Sequence, residues 1–200
     1  MNIGIDIDGV LTDMEREITD YATKMCVEEQ IPIKVDSSQY YESDSFGWNQ
    51  EQVDKFWNKY LVPYIKESNS RKYAKEIINK LRKEENKIYI ITARDENGMP
   101  PEYYGKMQQL TKEWLNKQEI EYDKLIFAKD KEKLQKCIEN NVEIMIEDSP
   151  NNIHDISTKI SVIKFDCQYN KNIRGEKIIT AYSWYHIYDI IEKMKKERGK

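Results

Sequence analysis

Hydrophobic residues along the chain alternate between short runs typical of buried strands and longer segments with helical spacing. The short runs lie at residues 2–8, 87–92, 125–128, 143–148 and 161–166. The segments between them carry apolar residues three and four positions apart, as in residues 73–81. Strands that alternate with helices of this length predict βαβ units on a parallel sheet.

The helical spacing predicts helices over residues 12–30, 50–60, 70–85, 100–117, 131–140, 151–157 and 183–196. Residues 12–69 break the alternation, because they are helical or polar and contain no predicted strand. We therefore predict an α/β fold, a Rossmann-like three-layer parallel sheet formed by residues 1–11 and 70–200. Residues 12–69 are predicted to form a small helical cap inserted after the first strand.

Composition narrows the classes of function. The chain of 200 residues has 32 Lys and Arg against 36 Asp and Glu, which gives a net charge of −4. Sequence-independent binding of a nucleic acid polymer needs a basic surface, so this balance disfavours it. The three cysteines are far apart and form neither a zinc pattern nor a disulfide framework, which is typical of a reducing cytoplasm. The apolar runs are short and interrupted by charges, so we predict no membrane span.

Polar side chains stand where three predicted strands end, with carboxylates at two of the ends and a hydroxyl at the third. The first strand, in GIDIDGVLTD, contains Asp6 and Asp8, which point to the same side because alternate strand residues share a face. Gly9 then lets the chain turn. The strand KIYIIT ends at Thr92, and EIMI is followed by Glu147 and Asp148. Ligands bind at the carboxyl ends of strands in open α/β sheets, so we expect these side chains to meet in one crevice.

Such a group of like charges requires a compensating cation, since neighbouring carboxylates raise one another's pKa. Oxygen ligands without a nearby His or Cys favour Mg²⁺ over zinc. Taken singly, Asp-x-Asp can be a turn, Thr12 with Glu15 a capping box, and EDSP a helix N-terminus. Taken jointly, in this order and at strand ends, they predict a metal site.

The sequences DIDGVLTD, IITAR, KDKEKL and IEDSP resemble, in order, the four motifs of the haloacid dehalogenase (HAD) superfamily of phosphatases. The helical insert resembles the type 1 cap of that superfamily. Within it, the chain is most similar to the 5'(3')-deoxyribonucleotidase-like family and its bacterial relatives. The resemblance spans nearly the whole chain and implies a HAD-like fold and a Mg²⁺-dependent phosphomonoesterase.

The resemblance also implies roles for individual residues. Asp6 would be the nucleophile that forms an aspartyl-phosphate, and Asp8 the general acid and base. The Asp6 carboxylate, the Asp8 main-chain carbonyl and the Asp148 carboxylate would hold Mg²⁺, with Glu147 acting through water. Thr92 and neighbouring amides, including that of Ala93, would bind a phosphoryl oxygen.

A lysine would neutralise the charge that builds on the phosphoryl group. The segment FAKDKEKLQK offers several candidates. We favour Lys131, because it follows the strand LIFA after a turn and stands three residues before Leu134. Lys133 and Lys129 are the alternatives.

The sequence departs from the mammalian-type deoxyribonucleotidases at two places. These departures bear more on the predicted substrate than on the predicted metal site. Those enzymes have Thr-Ser-Pro where this chain has Thr92-Ala93-Arg94, and paired aspartates where it has Glu147-Asp148. Arg94 adds a positive charge near the phosphate and is expected to contact the substrate.

Two further functions compete with a nucleotidase that acts on (deoxy)nucleoside monophosphates. One is a HAD phosphatase for a sugar phosphate or another small metabolite, and the other is a non-catalytic phosphate-binding relative. The pair of Asp6 and Asp8 disfavours the last, since a binding module needs no acid/base group beside a nucleophile. We expect a small phosphorylated substrate as the partner, neither a nucleic acid polymer nor a membrane, and allow for a homodimer in the cytoplasm.

The insert contains an aromatic stretch, YYESDSFGWNQ, that bears on this choice. Phe46 or Trp48 could stack on a nucleobase, or both could pack inside the cap, as we expect for Trp57 and Tyr60. Polar groups of the same stretch could instead bind a sugar. The sequence leaves both interpretations open.

Overall fold

The computed structural model describes residues 1–199, apart from the side chains of Asp130 and Arg198. Within these residues six strands form one parallel sheet in the order β3-β2-β1-β4-β5-β6. The strands are β1 (Asn2–Ile5), β2 (Lys87–Thr92), β3 (Lys124–Phe127), β4 (Ile144–Glu147), β5 (Ser161–Phe165) and β6 (Ile178–Ala181). The predicted α/β fold with a parallel sheet is confirmed.

Five strands lie where the hydrophobic runs predict them. The first is shorter than predicted, because it ends at Ile5 rather than Asp8. β6 is absent from the sequence prediction. It has only four residues, IITA, and three of them are partly exposed at the edge of the sheet, so its hydrophobic signal is weak.

Eight α-helices surround the sheet within residues 1–199. They are α1 (Met14–Glu29), α2 (Glu42–Phe46), α3 (Gln50–Glu67), α4 (Ala74–Lys83), α5 (Met107–Lys117), α6 (Lys133–Glu139), α7 (Pro150–Ser157) and α8 (Trp184–Arg198).

The helices differ from their sequence predictions at several points. Sequence analysis did not predict α2. The helix predicted for residues 50–60 runs on through Pro63 to Glu67. Proline is disfavoured inside helices, so the sequence gives little reason to extend this one. The helix predicted for residues 100–117 is a short 3₁₀ turn at Pro101–Tyr103 followed by α5, and Gly105 lies between them with a φ of 80°.

The two faces of the sheet carry separate hydrophobic cores. One face packs against α4, α5 and α8 through strand residues such as Ile5 and Ile90. The other packs against α6 and α7 through Met145 and Val162. Because side chains alternate along a strand, β2, β4 and β5 supply residues to both cores, and the result is the expected three layers.

A third hydrophobic cluster lies in the segment between β1 and β2. It is formed by α1, α2 and α3 together with Met99, Met107 and Leu110 from the region after β2. An isolated antiparallel bridge joins Thr12 to Ser70, where the chain leaves and re-enters the sheet layer. Residues 12–69 are called the insert below. The division of the chain into core and cap domains stays a prediction.

Among the described residues, no helix has both the length and the apolar character that crossing a membrane requires.

Candidate active site

Asp6 and Asp8 lie just beyond the end of β1. The Asp6 amide still donates to the Ile146 carbonyl at 3.0 Å, so Asp6 keeps the direction of the strand. Ile7 is completely buried in the core, and its carbonyl accepts hydrogen bonds from the amides of residues 10–12. This tight turn leaves Asp6 and Asp8 facing a crevice at the carboxyl edge of the sheet.

Gly9 is required in this turn for two reasons. Its φ of 84° lies in the left-handed region that disfavours side chains. A Cβ at this position would also collide with the carboxylate of Asp148. The glycine therefore lets the turn after β1 lie directly against the residue that follows β4.

Asp6, Glu147 and Asp148 form a buried cluster of carboxylates. Oxygen atoms from the three side chains lie within 4.8 Å of one another. The Nζ of Lys133 lies 2.8 Å from Asp6 Oδ1 and 2.9 Å from Glu147 Oε2. One ammonium group thus contacts two of the three carboxylates, and the cluster has fewer positive than negative charges.

The electrostatics of the cluster follow from this imbalance. Burial, followed by the charge of Glu147, raises the pKa of Asp6 to about 8, although Lys133 opposes the shift. Burial also raises the pKa of Asp148 well above its usual value, and the charges of Glu147 and Asp6 add to the effect. Asp148 Oδ1 is buried without a hydrogen-bond partner in the described part of the chain. A buried site that offers several carboxylate oxygens, one of them without a partner, fits a divalent cation.

The lysine of the site is Lys133, and the prediction of Lys131 is wrong. Asp130–Glu132 form a 3₁₀ turn, and α6 begins only at Lys133. Lys129 and Lys131 are exposed on the segment before the helix, whereas the side chain of Lys133 is 1% exposed. The sequence analysis started the helix two residues too early, so it assigned the inward position to the wrong lysine.

Asp8 is held by an arginine from the loop after β2. Arg94 Nε and Nη2 lie 2.8 and 2.7 Å from the two Asp8 oxygens, which is a bidentate arrangement. The hydroxyl of Tyr64, from α3, donates to Asp8 Oδ1 at 2.8 Å. Burial alone would raise the pKa of Asp8, but the charge and hydrogen bonds of Arg94, with that of Tyr64, hold it below its usual value.

Arg94 is itself buried, with a side chain 4% exposed. Its Nη1 has no hydrogen-bond partner among the described residues, although the side chain lines the crevice. Its guanidinium carbon lies 5.4 Å from the centre of the Trp114 ring, and this cation–π contact stabilises the charged group. The arginine therefore keeps one donor group without a partner in the described part of the chain.

Thr92 and Ala93 lie at the end of β2, beside this arginine. The Thr92 hydroxyl is buried and accepts a hydrogen bond from the Arg94 amide at 3.2 Å. Ala93 lines the crevice. Their part in binding a phosphoryl oxygen stays a prediction.

The crevice has a volume of about 400 Å³ and is lined on one side by the insert. Phe46 and Trp48 do not line it, so the hypothesis that they face the substrate is wrong. Gly47, with a φ of 67°, reverses the chain between them, and both rings turn into the cluster of the insert, 4.7 Å apart. The half-buried Trp57 packs against this cluster, as expected, and also lines the crevice.

Several residues of the site were missed by sequence analysis. Tyr64 was missed because the predicted helix stopped at Tyr60. Tyr169 and Asn170, which contact Asp148, follow β5 in a segment without a recognisable motif. A signal was present for Tyr64, because helical spacing from Trp57 and Tyr60 places residue 64 on the same face.

Comparison with known proteins gives consistent matches over nearly the full length. Residues 1–197 match the model of the family described as 5' nucleotidase, deoxy (pyrimidine), cytosolic type C (NT5C). A nucleotidase of Clostridium acetobutylicum is 29% identical over 197 residues, which cover 97% of this chain and 95% of the relative. A Chlorobaculum tepidum protein with the provisional name 5'(3')-deoxyribonucleotidase is 27% identical, with 95% of this chain and 89% of the relative covered.

Solved structures agree on the fold. A haloacid dehalogenase-like protein of unknown function from Agrobacterium tumefaciens superposes with a TM-score of 0.68 at 15% identity. The match covers 96% of this chain and 98% of that one.

Proposed function

The chain belongs to the family of cytosolic type C 5'-deoxynucleotidases within the HAD superfamily, and we propose that it hydrolyses (deoxy)nucleoside monophosphates with Mg²⁺ through a phosphorylated Asp6. Membership makes the chain a hydrolase of phosphoric monoesters. The metal, the covalent intermediate and the nucleotide substrate are the parts that we propose.

The observation that carries the proposal is the position of Asp6. Its carboxylate lies 2.8 Å from the Lys133 ammonium, inside a buried acidic cluster, and Asp8 follows two residues later on the same crevice. A carboxylate can act as a nucleophile towards phosphorus, and a second acidic group can serve the leaving alcohol. Lys133 orients the Asp6 oxygen and supplies positive charge where the phosphoryl oxygens would lie.

The reaction has two halves. In the first, an Asp6 oxygen attacks phosphorus, the ester bond to the alcohol breaks, and the departing oxygen takes a proton from Asp8. In the second, Asp8 takes a proton from water, which attacks the phosphorus, and the bond to Asp6 breaks. Inorganic phosphate leaves, and both carboxyl groups return to their starting states.

The ion pair with Arg94 suits the second half better than the first. A carboxylate clamped by a guanidinium and a tyrosine hydroxyl is a stable anion, which can accept a proton but has none to give. We propose that an arriving phosphate competes for Arg94, whose Nη1 already lacks a partner in the described chain. Weakening of the clamp would raise the pKa of Asp8 towards that of an acid catalyst.

Mg²⁺ fits the acidic cluster, for which the partnerless Asp148 Oδ1 is the structural argument. The Asp6 carboxylate, the Asp8 main-chain carbonyl and the Asp148 carboxylate would hold the ion. Glu147 already accepts hydrogen bonds from the amides of residues 148 and 149 and from Lys133, so it would act through water. When bound, the ion would neutralise phosphoryl charge and reduce repulsion between phosphate and nucleophile.

Trp57 supports a nucleobase as the group beyond the phosphate. Its ring lines the crevice together with apolar side chains of Val53 and Leu61 on the same helix. An aromatic ring binds a planar base by stacking, which contributes about 1–3 kcal/mol. The alternative, a sugar phosphate or another small metabolite, has support from polar groups such as Gln50 and Asn97 at the same crevice.

A panel of phosphomonoesters tests the proposal. Wild type and Asp6→Asn are incubated with deoxynucleoside monophosphates, sugar phosphates and an artificial aryl phosphate, each with Mg²⁺ or with a chelator. We expect the wild type to release phosphate from nucleotides when Mg²⁺ is present and not when the chelator is present. Release only from sugar phosphates would favour the metabolite phosphatase, and release from no ester would favour the non-catalytic relative.

A further inference from the structure

Tyr169 and Asn170, which follow β5, form hydrogen bonds with the side chain and the main chain of Asp148. The Tyr169 hydroxyl donates to Asp148 Oδ2, and Asn170 Nδ2 donates to the Asp148 carbonyl at 2.8 Å. Asn170 is completely buried and also bonds to the Phe165 carbonyl at 2.9 Å and the Cys167 amide at 3.1 Å. The carboxylate is therefore fixed in direction as well as in place.

A buried lysine forms hydrogen bonds with the main chain of the segment that carries Tyr169 and Asn170. Lys164, on β5, has a completely buried side chain, and its Nζ donates to the Asn170 carbonyl at 2.9 Å and the Ile173 carbonyl at 3.4 Å. A buried ammonium group needs such acceptors, since an unpaired buried charge is costly. The lysine thus ties the turn that carries Tyr169 and Asn170 to the sheet.

These contacts leave one carboxylate oxygen of Asp148 free. Tyr169 bonds to Oδ2, and Gly9 allows the turn after β1 to lie against the same carboxylate. Oδ1 is buried and has no partner in the described chain. This oxygen without a partner belongs to the cluster in which side-chain oxygens of Asp6, Glu147 and Asp148 lie within 4.8 Å of one another.

Tyr169 also contacts the insert. The Tyr40 ring lies edge-on to the Tyr169 ring, with centroids 5.2 Å apart and an interplanar angle of 68°. Tyr40 lines the crevice as well. A side chain of the insert therefore touches the residue that orients Asp148.

We propose that Tyr169 and Asn170 are positioning residues for the metal site, which present Asp148 Oδ1 to a divalent cation, and that Tyr40 keeps Tyr169 in place. The inference rests on the proposed function, because it takes the acidic cluster to hold a cation. Hydrogen-bond partners that orient a ligating carboxylate raise its affinity for the metal, because the side chain is already ordered before the metal binds.

Binding of Mn²⁺ without substrate is the test, measured by electron paramagnetic resonance of the free ion. The variant is Tyr169→Phe, which keeps the ring and removes only the hydroxyl. Tyr182→Phe is the matched control, because Tyr182 is 68% exposed. Loss of an orienting partner lowers metal affinity by roughly tenfold to a hundredfold. We expect this loss for Tyr169→Phe and none for the control, with equal thermal unfolding temperatures without metal.

Tyr40→Leu provides a second measurement that does not touch Asp148. Its Mn²⁺ affinity is expected to lie between those of wild type and Tyr169→Phe, because the ring contact is lost while the hydrogen bond remains. Equal affinity of wild type and Tyr169→Phe would overturn the inference and leave the proposed function intact. A wild-type chain that binds no Mn²⁺ would overturn both.

Discussion

The two sides of the crevice are built on different principles. On the sheet side, charged groups are buried and paired, as with Lys133 between Asp6 and Glu147. On the insert side, aromatic rings pack in a cluster and Trp57 reaches the crevice. Chemistry requires atoms fixed in place, which the sheet edge supplies. Selection of a substrate requires a surface of suitable shape, which the insert supplies.

Tyr64 and Tyr40 join the two sides. Tyr64 donates from α3 to Asp8, and Tyr40 contacts Tyr169, which holds Asp148. The proposed proton donor and the proposed metal ligand are thus each in contact with the insert, either directly or through one residue. The contrast between the sides predicts that changes at the sheet edge lower the rate, whereas changes on the insert lower affinity.

The largest effect is expected at the nucleophile. Asp6→Asn removes the attacking oxygen but keeps the shape of the side chain, so Mg²⁺-dependent release of phosphate should fall by at least about a thousandfold. Circular dichroism should show an unchanged fold. Activity close to that of the wild type would mean that the sheet side does not perform the chemistry.

The next effect separates two neighbouring lysines. Lys133→Met should lower kcat by roughly a hundredfold to a thousandfold, as expected for the loss of one charge-stabilising group. Lys131→Met is the matched control and should leave kcat unchanged, because Lys131 is exposed. A severe effect of the control would show that α6 begins in a different register in solution.

A smaller effect is expected on the insert side. Trp57→Ala should raise KM for a deoxynucleoside monophosphate by about tenfold to a hundredfold, which corresponds to one lost stacking contact. KM for a small artificial ester should hardly change. Trp48→Phe, in the interior cluster, serves as the comparison and should affect neither. Equal changes for both substrates would argue against a base beside Trp57.

The smallest effect concerns stability and pH. The raised pKa of Asp6, about 8 against an ordinary 3.8, means that the folded chain binds a proton that the unfolded chain releases. Without metal, stability should therefore fall as pH rises from about 4 to 8. Asp6→Asn should remove part of this slope and raise Tm at pH 8 by roughly 2–4 °C for each 1 kcal/mol recovered. Thermal unfolding at pH 5 and pH 8 measures it, and identical slopes would contradict it.

The sheet side could be predicted from sequence because general rules for strands and parallel sheets determine where the strand ends lie. Strand periodicity and the rule for parallel sheets place the ends of β1, β2 and β4 together, and these strands are adjacent in the structure. A two-residue difference in the start of α6 was enough to assign the wrong lysine. Helix starts are uncertain by that amount when no cap marks them, and Glu132, which precedes α6, makes no side-chain capping hydrogen bond.

The insert side could not be predicted in the same way. Phe46, Trp48 and Trp57 are equally aromatic, and no period in the sequence tells which ring faces the crevice. Their directions depend on the reversal at Gly47 and on the helix cap at Asn49, which together fix how α2 meets α3. The partners of Asp148 after β5 were hidden for a related reason, since Tyr169 and Asn170 act through tertiary contacts alone.

Detection of the covalent intermediate tests the central claim most directly. The wild type is mixed with a deoxynucleoside monophosphate and Mg²⁺, quenched in acid during turnover, digested and analysed by mass spectrometry. We predict a phosphoryl group on the peptide that contains Asp6, removed by hydroxylamine as an acyl phosphate should be, and absent from Asp6→Asn. Turnover with no phosphorylated peptide, or with the phosphoryl group on another residue, would contradict the account.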